Sequence, residues 1–428
     1  MRITLLFTFL LSFLNTCTQK EQVSIESTIT EIEFNNPYKF NSTIEERLKK
    51  DTLPWKHQTA LLSYQKKGDY KKTLELLDLD SEKKATIPLT TEQIDSIKSK
   101  YTPLDAGTFI SRQARSRKVV IINEAHHNPS HRTFTRSLLK ELYSSGYTYL
   151  GLEALYNGPQ GGTPLGNNGN HIKDEKDSLL NTRNYPIFQS GNYLEPQMGN
   201  LIRLALEIGF TVFSYEKTGV GSGNPRELGQ AKNIQQILEK EPNAKILIHC
   251  GFAHAYEGYD VYGSKGKAMA GWLNELTGID PLTINQVVYS EEYSKPEFNN
   301  PLPYALSISD SKVLVDKEGN PMKFVRGNAY TDIVVVHPPT EYINEKPSWL
   351  FKYGYEDVVL DISELDINFP VMVIAYNRKE NISHAIPIDI VELNNKTTLP
   401  HLSLTKGEFT IVVANKDGIA RKFDISVK

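Results

Sequence analysis

The sequence predicts an α/β fold: a mostly parallel, doubly wound sheet, preceded by a short helical segment and followed by a β-sandwich. Three observations carry this expectation. Short apolar, β-branched runs alternate with helical patterns between residues 105 and 342. Chemistry-bearing residues stand at the ends of those runs. From about residue 345 the helical patterns stop and short strands of period two take over.

In the α/β part, strands are expected at 119–122, 149–152, 211–214, 246–250, 284–289 and 333–336. The first, four apolar residues long, reads as a strand buried on both faces. Ser130 is placed to cap the helix after it, whose stripe is Phe134, Leu138, Leu139 and Leu142. A second helix precedes the third strand, opened by Glu195-Pro196, with Leu201, Leu204, Ala205 and Ile208 on one face. A third covers 228–238, and a fourth carries Met269, Trp272, Leu273 and Leu276.

The strand ends hold the candidate site. Glu124 ends the first strand, Glu153 the second, Glu216 the third, and His249 with His254 the fourth. Right-handed crossovers bring such ends to one sheet edge, where open α/β sheets bind ligands. Glu124, His126, Glu153, Glu216 and His254 are therefore expected to form one catalytic site. His127, His131, Arg132, His249 and Arg226 are expected as supporting groups or alternatives, with Arg226 an anchor for an anionic substrate group. Three clustered carboxylates raise the pKa of at least one unless a cation compensates. Glu124, His126 and His254 are suitable donors for zinc, manganese or iron, with Glu153 or Glu216 as general base. The aperiodic, glycine-rich stretch 156–193 leaves the strand that ends in Glu153 and is expected to cover the substrate. It lacks the Gly-Lys-Ser/Thr of a phosphate loop.

At the N-terminus, Met1-Arg2 and the apolar run 3–14 have the layout of a secretory signal. Leu14-Asn15-Thr16-Cys17 resembles the lipobox of bacterial lipoproteins, which implies cleavage before Cys17, lipidation of its thiol and residence in the cell envelope outside the cytoplasm. The signal would span 1–17 and a polar tether 18–41. Cys250 is the one other cysteine, so a disulfide framework is excluded once Cys17 is lipidated. A net charge of −3 gives no electrostatic reason for nucleic-acid binding.

Residues 42–104 read as helical, with capping boxes at Ser42–Glu45 and Thr90–Gln93. Lys66, Lys67, Lys71 and Lys72 read as a solvated face. In 343–428, strands are expected at 358–362, 371–375, 386–391, 399–404, 409–413 and 423–427. Leu404-Thr-Lys-Gly-Glu-Phe409 and Asp417-Gly418 resemble the last hairpin of immunoglobulin-like accessory domains. His384 and His401 are expected at the surface.

Two motifs carry a wider resemblance. Asn123-Glu-Ala-His-His-Asn-Pro-Ser-His-Arg132, an aliphatic helix and then Gly151-Leu-Glu153 resemble the opening of the ChaN-type haem-binding lipoproteins. Those share a superfamily with the Tiki and TraB proteins and the erythromycin esterases. Ile246-Leu-Ile-His-Cys-Gly-Phe-Ala-His254 resembles its second signature, a strand ending in Gly-x-x-His, matched by Gly251 and His254. The resemblance covers the α/β core alone, and Asn123 stands where these families usually have Gly. The ChaN form selects His126 and the esterase form His127; the trailing Asn-Pro-x-His-Arg favours His126.

The esterase resemblance implies a metal-free histidine base oriented by Glu124. The ChaN resemblance implies haem, ligated by a histidine or by Tyr193 or Tyr215, in an iron-uptake lipoprotein. Three carboxylates suit a dianionic porphyrin poorly. The expected function is thus hydrolysis of an ester or amide in a small-molecule or peptide substrate, metal-assisted or esterase-like. Haem binding and a non-catalytic surface binding protein are the alternatives. The membrane is a partner through Cys17.

Overall fold

The computed structural model describes residues 27–81, 89–155, 177–191, 194–217, 222–261 and 266–428. Cys17, the signal segment, Tyr193 and most of the expected substrate-covering stretch lie outside them. The chain is mixed α/β, with a mostly parallel eight-stranded sheet and several antiparallel sheets.

The chain first makes the strand β1 (Thr30–Ile32) and helices α1 (Asn41–Lys50), α2 (Lys56–Lys66), α3 (Tyr70–Ser81) and α4 (Thr91–Lys100). Residues 30–40 correct the expected tether. Thr30–Ile32 pairs with a C-terminal strand, and Tyr38 and Phe40 are buried against Met372 and Ile374. Their aromatic surface is what removes them from solvent. The Thr90–Gln93 capping box forms, whereas α1 begins after Phe40 and Ser42 caps nothing. Lys67 leaves the expected solvated face: it is buried, with Nζ 2.6 Å from Glu392.

The core elements are β2 (Thr102–Asp105), α5 (Ala106–Ala114), β3 (Val119–Glu124), α6 (Ser130–Ser144), β4 (Tyr147–Leu152), α7 (Asp177–Arg183) and α8 (Pro196–Ile208). They continue with β5 (Thr211–Ser214), α9 (Asn224–Lys240), β6 (Lys245–Gly251), α10 (Met269–Thr277), β7 (Leu282–Asn285), β8 (Lys312–Val315) and β9 (Ile333–Val336). Sheet order is β2-β8-β9-β7-β3-β6-β4-β5. The six strands from β9 to β5 run parallel. Two antiparallel strands, β8 and β2, close the far edge.

All six residues of β3 are buried. Val120 and Ile122 belong to the cluster with α5, α6 and α8, while Val119 and Ile121 pack with α9 and α10. That division follows from the two-residue period of a strand. The helix after β3 starts at Ser130, but Asn128, not Ser130, supplies the side chain at its entry: Asn128 Oδ1 accepts from Ser130 N at 3.1 Å. The expected strand 284–289 stops at Asn285, whose Oδ1 accepts from the amides of Val287 and Val288 and turns the chain.

The C-terminal part contains β10 (Glu356–Val359), β11 (Val371–Asn377), β12 (Asp389–Leu393), β13 (His401–Leu404), β14 (Gly407–Asn415) and β15 (Ala420–Val427). A five-stranded antiparallel sheet runs β1-β15-β14-β11-β12, and β10 pairs with β13. Val373, Ile411 and Val413 pack against Val358, Leu402 and Leu404. The opposite face, Met372, Ile374 and Val412, packs on Tyr38 and Phe40. Asn200 of α8 donates to Ile388 O at 3.0 Å, and Arg203 pairs with Glu380 at 2.6 Å, fastening this part to the α/β core. His401 is half-buried and bonded to Asp357 at 2.8 Å.

Leu139 on α6 is fully buried between the sheet and its neighbours. Truncation in such a site leaves a cavity, so Leu139→Ala is expected to cost about 2–5 kcal/mol. Urea denaturation checks this, and a loss under 1 kcal/mol by the same scale would contradict the packing described.

Candidate active site

Strands β3, β6, β4 and β5 are consecutive neighbours, so their carboxyl ends form one edge. Glu124 ends β3 opposite Gly251, which ends β6. Glu153 directly follows β4, and Glu216 lies two residues beyond β5.

Glu124 is buried, and both its oxygens are engaged. Arg132 donates from Nε to Oε2 at 2.6 Å and from Nη2 to Oε1 at 2.7 Å. His126 Nδ1 lies 2.9 Å from Oε1 and His249 Nε2 2.8 Å from Oε2. Burial acts to raise the Glu124 pKa, but the Arg132 charge, His249 and these hydrogen bonds outweigh it and hold the carboxyl well below its usual range. Arg132 also reaches Glu195 at 2.9 Å and the carbonyl of His126 at 3.0 Å. Glu195 itself caps α8 by accepting from the amides of Gln197 and Met198.

His126 is partly exposed, its side chain 26% accessible. Its ring lies against bare Gly251. A Cβ there would stand 2.6 Å from His126 Nε2 and 3.1 Å from Glu153 Oε2, which is why the strand ends in glycine. The same position therefore brings the Nε2 edge of His126 and the Glu153 carboxylate onto one spot.

Beyond Glu153 the network continues. Arg226, in the first turn of α9, donates to Glu153 at 2.6 Å and grips Glu216 through Nε at 3.0 Å and through Nη2. Gln230 adds a bond to Glu216 at 3.1 Å. His254 Nδ1 meets Glu227 at 2.7 Å, and its Nε2 lies 3.3 Å from Glu153. Burial acts to lower the His254 pKa, but Glu153 and the bonds to both carboxylates push it up to about 10. That shift favours the imidazolium near neutral pH, with Nδ1 donating to Glu227, while Arg226 Nη1 lies 3.1 Å from Nε2. Burial acts to raise Glu153 as well, but His254, His126 and Arg226 hold it far below its usual range.

Glu124, His126, Glu153, Glu216 and His254 therefore lie together, linked through Glu153 and Arg226. The remaining residues take distinct places. His249 orients Glu124 and meets Thr135 at 3.2 Å. His131 accepts from Ala125 N at 3.0 Å beneath the loop. The Nε2 of His127 is buried without a hydrogen-bond partner among the described residues, and burial lowers the His127 pKa to about 4. His337, bonded to Ser311 at 2.8 Å and Gln286 at 3.0 Å, is likewise held neutral, at about 3, by burial. Tyr215 is fully buried and donates to His249 O at 3.2 Å, so it turns away from the edge where a porphyrin would need it.

Glu227 had no place in the sequence expectation, and Glu195 was expected to open α8 but not to hold Arg132. A signal existed for Glu227: with Gln230, Ala231, Ile234 and Leu238 it falls on the buried face of α9 at helical spacing, a carboxylate on an apolar stripe.

The donor set does not suit the expected metal. Glu124 is saturated by Arg132 and two imidazoles, and both nitrogens of His254 face carboxylates. Among the described residues no cluster of histidine, cysteine and carboxylate side chains has the arrangement of a metal site. The compensating cations are Arg132 and Arg226.

No family model and no curated protein matches this sequence. Among solved structures, the chain is similar to the type III effector HopBA1, with 11% identity and a TM-score of 0.31, over 56% of this chain and 96% of that one. It is also similar to RRSP, a MARTX toxin effector domain from Vibrio vulnificus CMCP6, with 12% identity and a TM-score of 0.26, over 60% of this chain and 51% of that one. Likenesses of this depth assign neither fold nor activity.

Two stability predictions follow from the charges. Arg132→Ala strands a buried carboxylate and is expected to cost about 3–5 kcal/mol in denaturant titrations, against near zero for a surface arginine. The pH response has two limbs. The folded pKa values of His127 and His337 lie below the ordinary ~6.5, so their contribution is full above that pH and is lost on acidification towards about 4 and 3. The folded pKa of His254 lies above it, so its contribution is full below ~6.5 and is lost as pH rises towards about 10. The denaturation midpoint should fall in both directions, and His254→Ala should flatten the alkaline limb alone. An unchanged alkaline limb in that variant contradicts the ionised His254.

Proposed function

We propose that this chain hydrolyses ester or amide bonds with His126 as general base and Glu124 as its orienting partner, without a metal. One observation carries the reading: a buried, ionised carboxylate lies 2.9 Å from Nδ1 of a histidine whose ring remains partly open. In the base form proposed, Glu124 accepts from a proton on Nδ1, and the lone pair is on Nε2, the edge beside Glu153. Nε2 would take a proton from water as its oxygen adds to the substrate carbonyl carbon. The resulting imidazolium, stabilised by Glu124, would return that proton to the leaving oxygen or nitrogen as the bond breaks. The guanidinium of Arg226, on the same edge, is the group suited to the negative charge that develops on the carbonyl oxygen.

The carboxylates first considered as bases are poorly suited to that role. Glu216 is held by Arg226 and Gln230, and Glu153 accepts from Arg226, His254 and Gly251 N. Haem carriage of the ChaN type is the second reading. It loses support with Tyr215 turned inward, and a tight, stoichiometric Soret shift on haem addition would restore it.

The superfamily resemblance suggested the same reading; Asn123, the departure from its pattern, bonds Phe252 O and Gln286 N and ties three strand ends together. Helices on both faces of the parallel strands support a doubly wound core, and the facing sheets near the C-terminus support an immunoglobulin-like sandwich. The apolar run meeting Cys17 supports export and lipid anchorage in the cell envelope.

His126→Ala is expected to lower kcat/KM on activated esters by about 10²–10⁴-fold, with Glu124→Gln also impaired. Chelator should leave the wild-type rate unchanged. Turnover that survives His126→Ala removes this base, and loss of activity on chelation that zinc or manganese restores would return the metal-assisted mechanism.

A further inference from the structure

We infer that Phe252 is a substrate-binding platform and that the substrate carries an apolar, preferably aromatic, group next to its scissile carbonyl. This rests on the hydrolytic reading for the word substrate, but the observations are independent of it. Phe252 sits inside the Gly251–His254 turn, where every other residue has a structural reason. Gly251 makes room for His126 and Glu153, Ala253 packs towards Tyr256 and Val261, and His254 is held by two carboxylates. Phe252 alone presents a large apolar side chain outward, 43% exposed.

Its backbone is also strained, with φ +42°. The left-handed region costs a non-glycine residue about 1–2 kcal/mol, and a bulky one rarely occupies it. Two unfavourable features thus coincide at one residue: an aromatic ring left in water and a backbone that glycine would relax. Neither is accidental mobility, because the position is fixed from below. Buried Asn123 donates from Nδ2 to Phe252 O at 2.8 Å, and Asn123 Oδ1 accepts from Gln286 N at 2.9 Å. Strain that is held in place this way marks functional positions.

The placement says what the ring can do. It meets the His126 ring edge to face, with centroids 5.1 Å apart and planes at 86°. A group stacked on Phe252 would therefore adjoin the carbonyl attacked from His126 Nε2. Arg226 and His254, each paired with carboxylates, lie on the side of Gly251 occupied by Glu153, so an apolar wall and a charged one flank the reacting position. Aromatic pairs favour such offset or edge contacts, which discriminate between substituents that differ in apolar area.

Phe252→Gly removes the ring and relieves the strain, so it should fold at least as stably as the wild type. The test measures binding of benzylphosphonate and methylphosphonate by calorimetry, alongside hydrolysis of p-nitrophenyl phenylacetate and p-nitrophenyl acetate. The expected wild type binds benzylphosphonate at least tenfold more tightly than methylphosphonate and prefers the phenylacetyl ester by a similar factor in kcat/KM. Phe252→Gly should erase both preferences. A missing preference, absence of binding by either phosphonate, or a preference that survives Phe252→Gly overturns the inference. If the binding preference is present and depends on Phe252 while no ester is turned over, the hydrolytic reading falls and the platform stands.

Discussion

Everything at the sheet edge depends on one buried charge. The Glu124 carboxylate has left water, and an unpaired carboxylate in such a place costs several kcal/mol or more. It is retained because Arg132 meets it side-on with two donors, and because His126 and His249 fill what remains. Arg132 is eight residues further along the chain, at the start of α6, so the pairing folds the intervening loop back on itself. The same guanidinium holds the His126 carbonyl at 3.0 Å. The orientation of the His126 ring is thus fixed twice, through its own nitrogen and through its backbone.

The second charge cluster repeats this arrangement from the other side of the sheet. α6 packs on one face of the parallel strands and α9 on the other. Each contributes an arginine near its start, and the two arginines hold the carboxylates that end neighbouring strands: Arg132 holds Glu124, and Arg226 holds Glu153 and Glu216. Arginine suits both places because its fork matches a carboxylate and its charge persists when buried. Glu227 from within α9 then fixes His254. The edge holds opposite charges in close register, and the His126 ring at its centre stays partly open.

Legibility in the sequence followed the physics of each signal. The strand start 119–122 was legible because a parallel strand buried on both faces shows as an unbroken apolar run. The convergence of Glu124, Glu153, Glu216 and His254 was legible because parallel strands with one crossover hand place their ends together. Thr102–Asp105 was not, because its four residues are exposed, contain proline and pair only at the sheet margin. The apolar 287–289 suggested more strand than exists, since the two amide hydrogen bonds from Asn285 are invisible in a pattern of hydrophobicity. Roles were harder than positions. Composition suggested metal ligands where the folded chain supplies arginine partners, because pairing between Glu124 and Arg132 depends on a loop conformation that no periodicity encodes.

The proposed chemistry requires that Glu124 hold the His126 proton on Nδ1 and leave the lone pair on Nε2. Long-range ¹⁵N–¹H correlation spectra of the histidine rings at neutral pH read that state directly, with His126→Gln supplying the assignment. The account predicts a single Nδ1-protonated tautomer for His126, converted in Glu124→Gln to the mixed tautomers of a solvent-exposed ring. A wild-type His126 protonated on Nε2, or one that averages both tautomers, would contradict it.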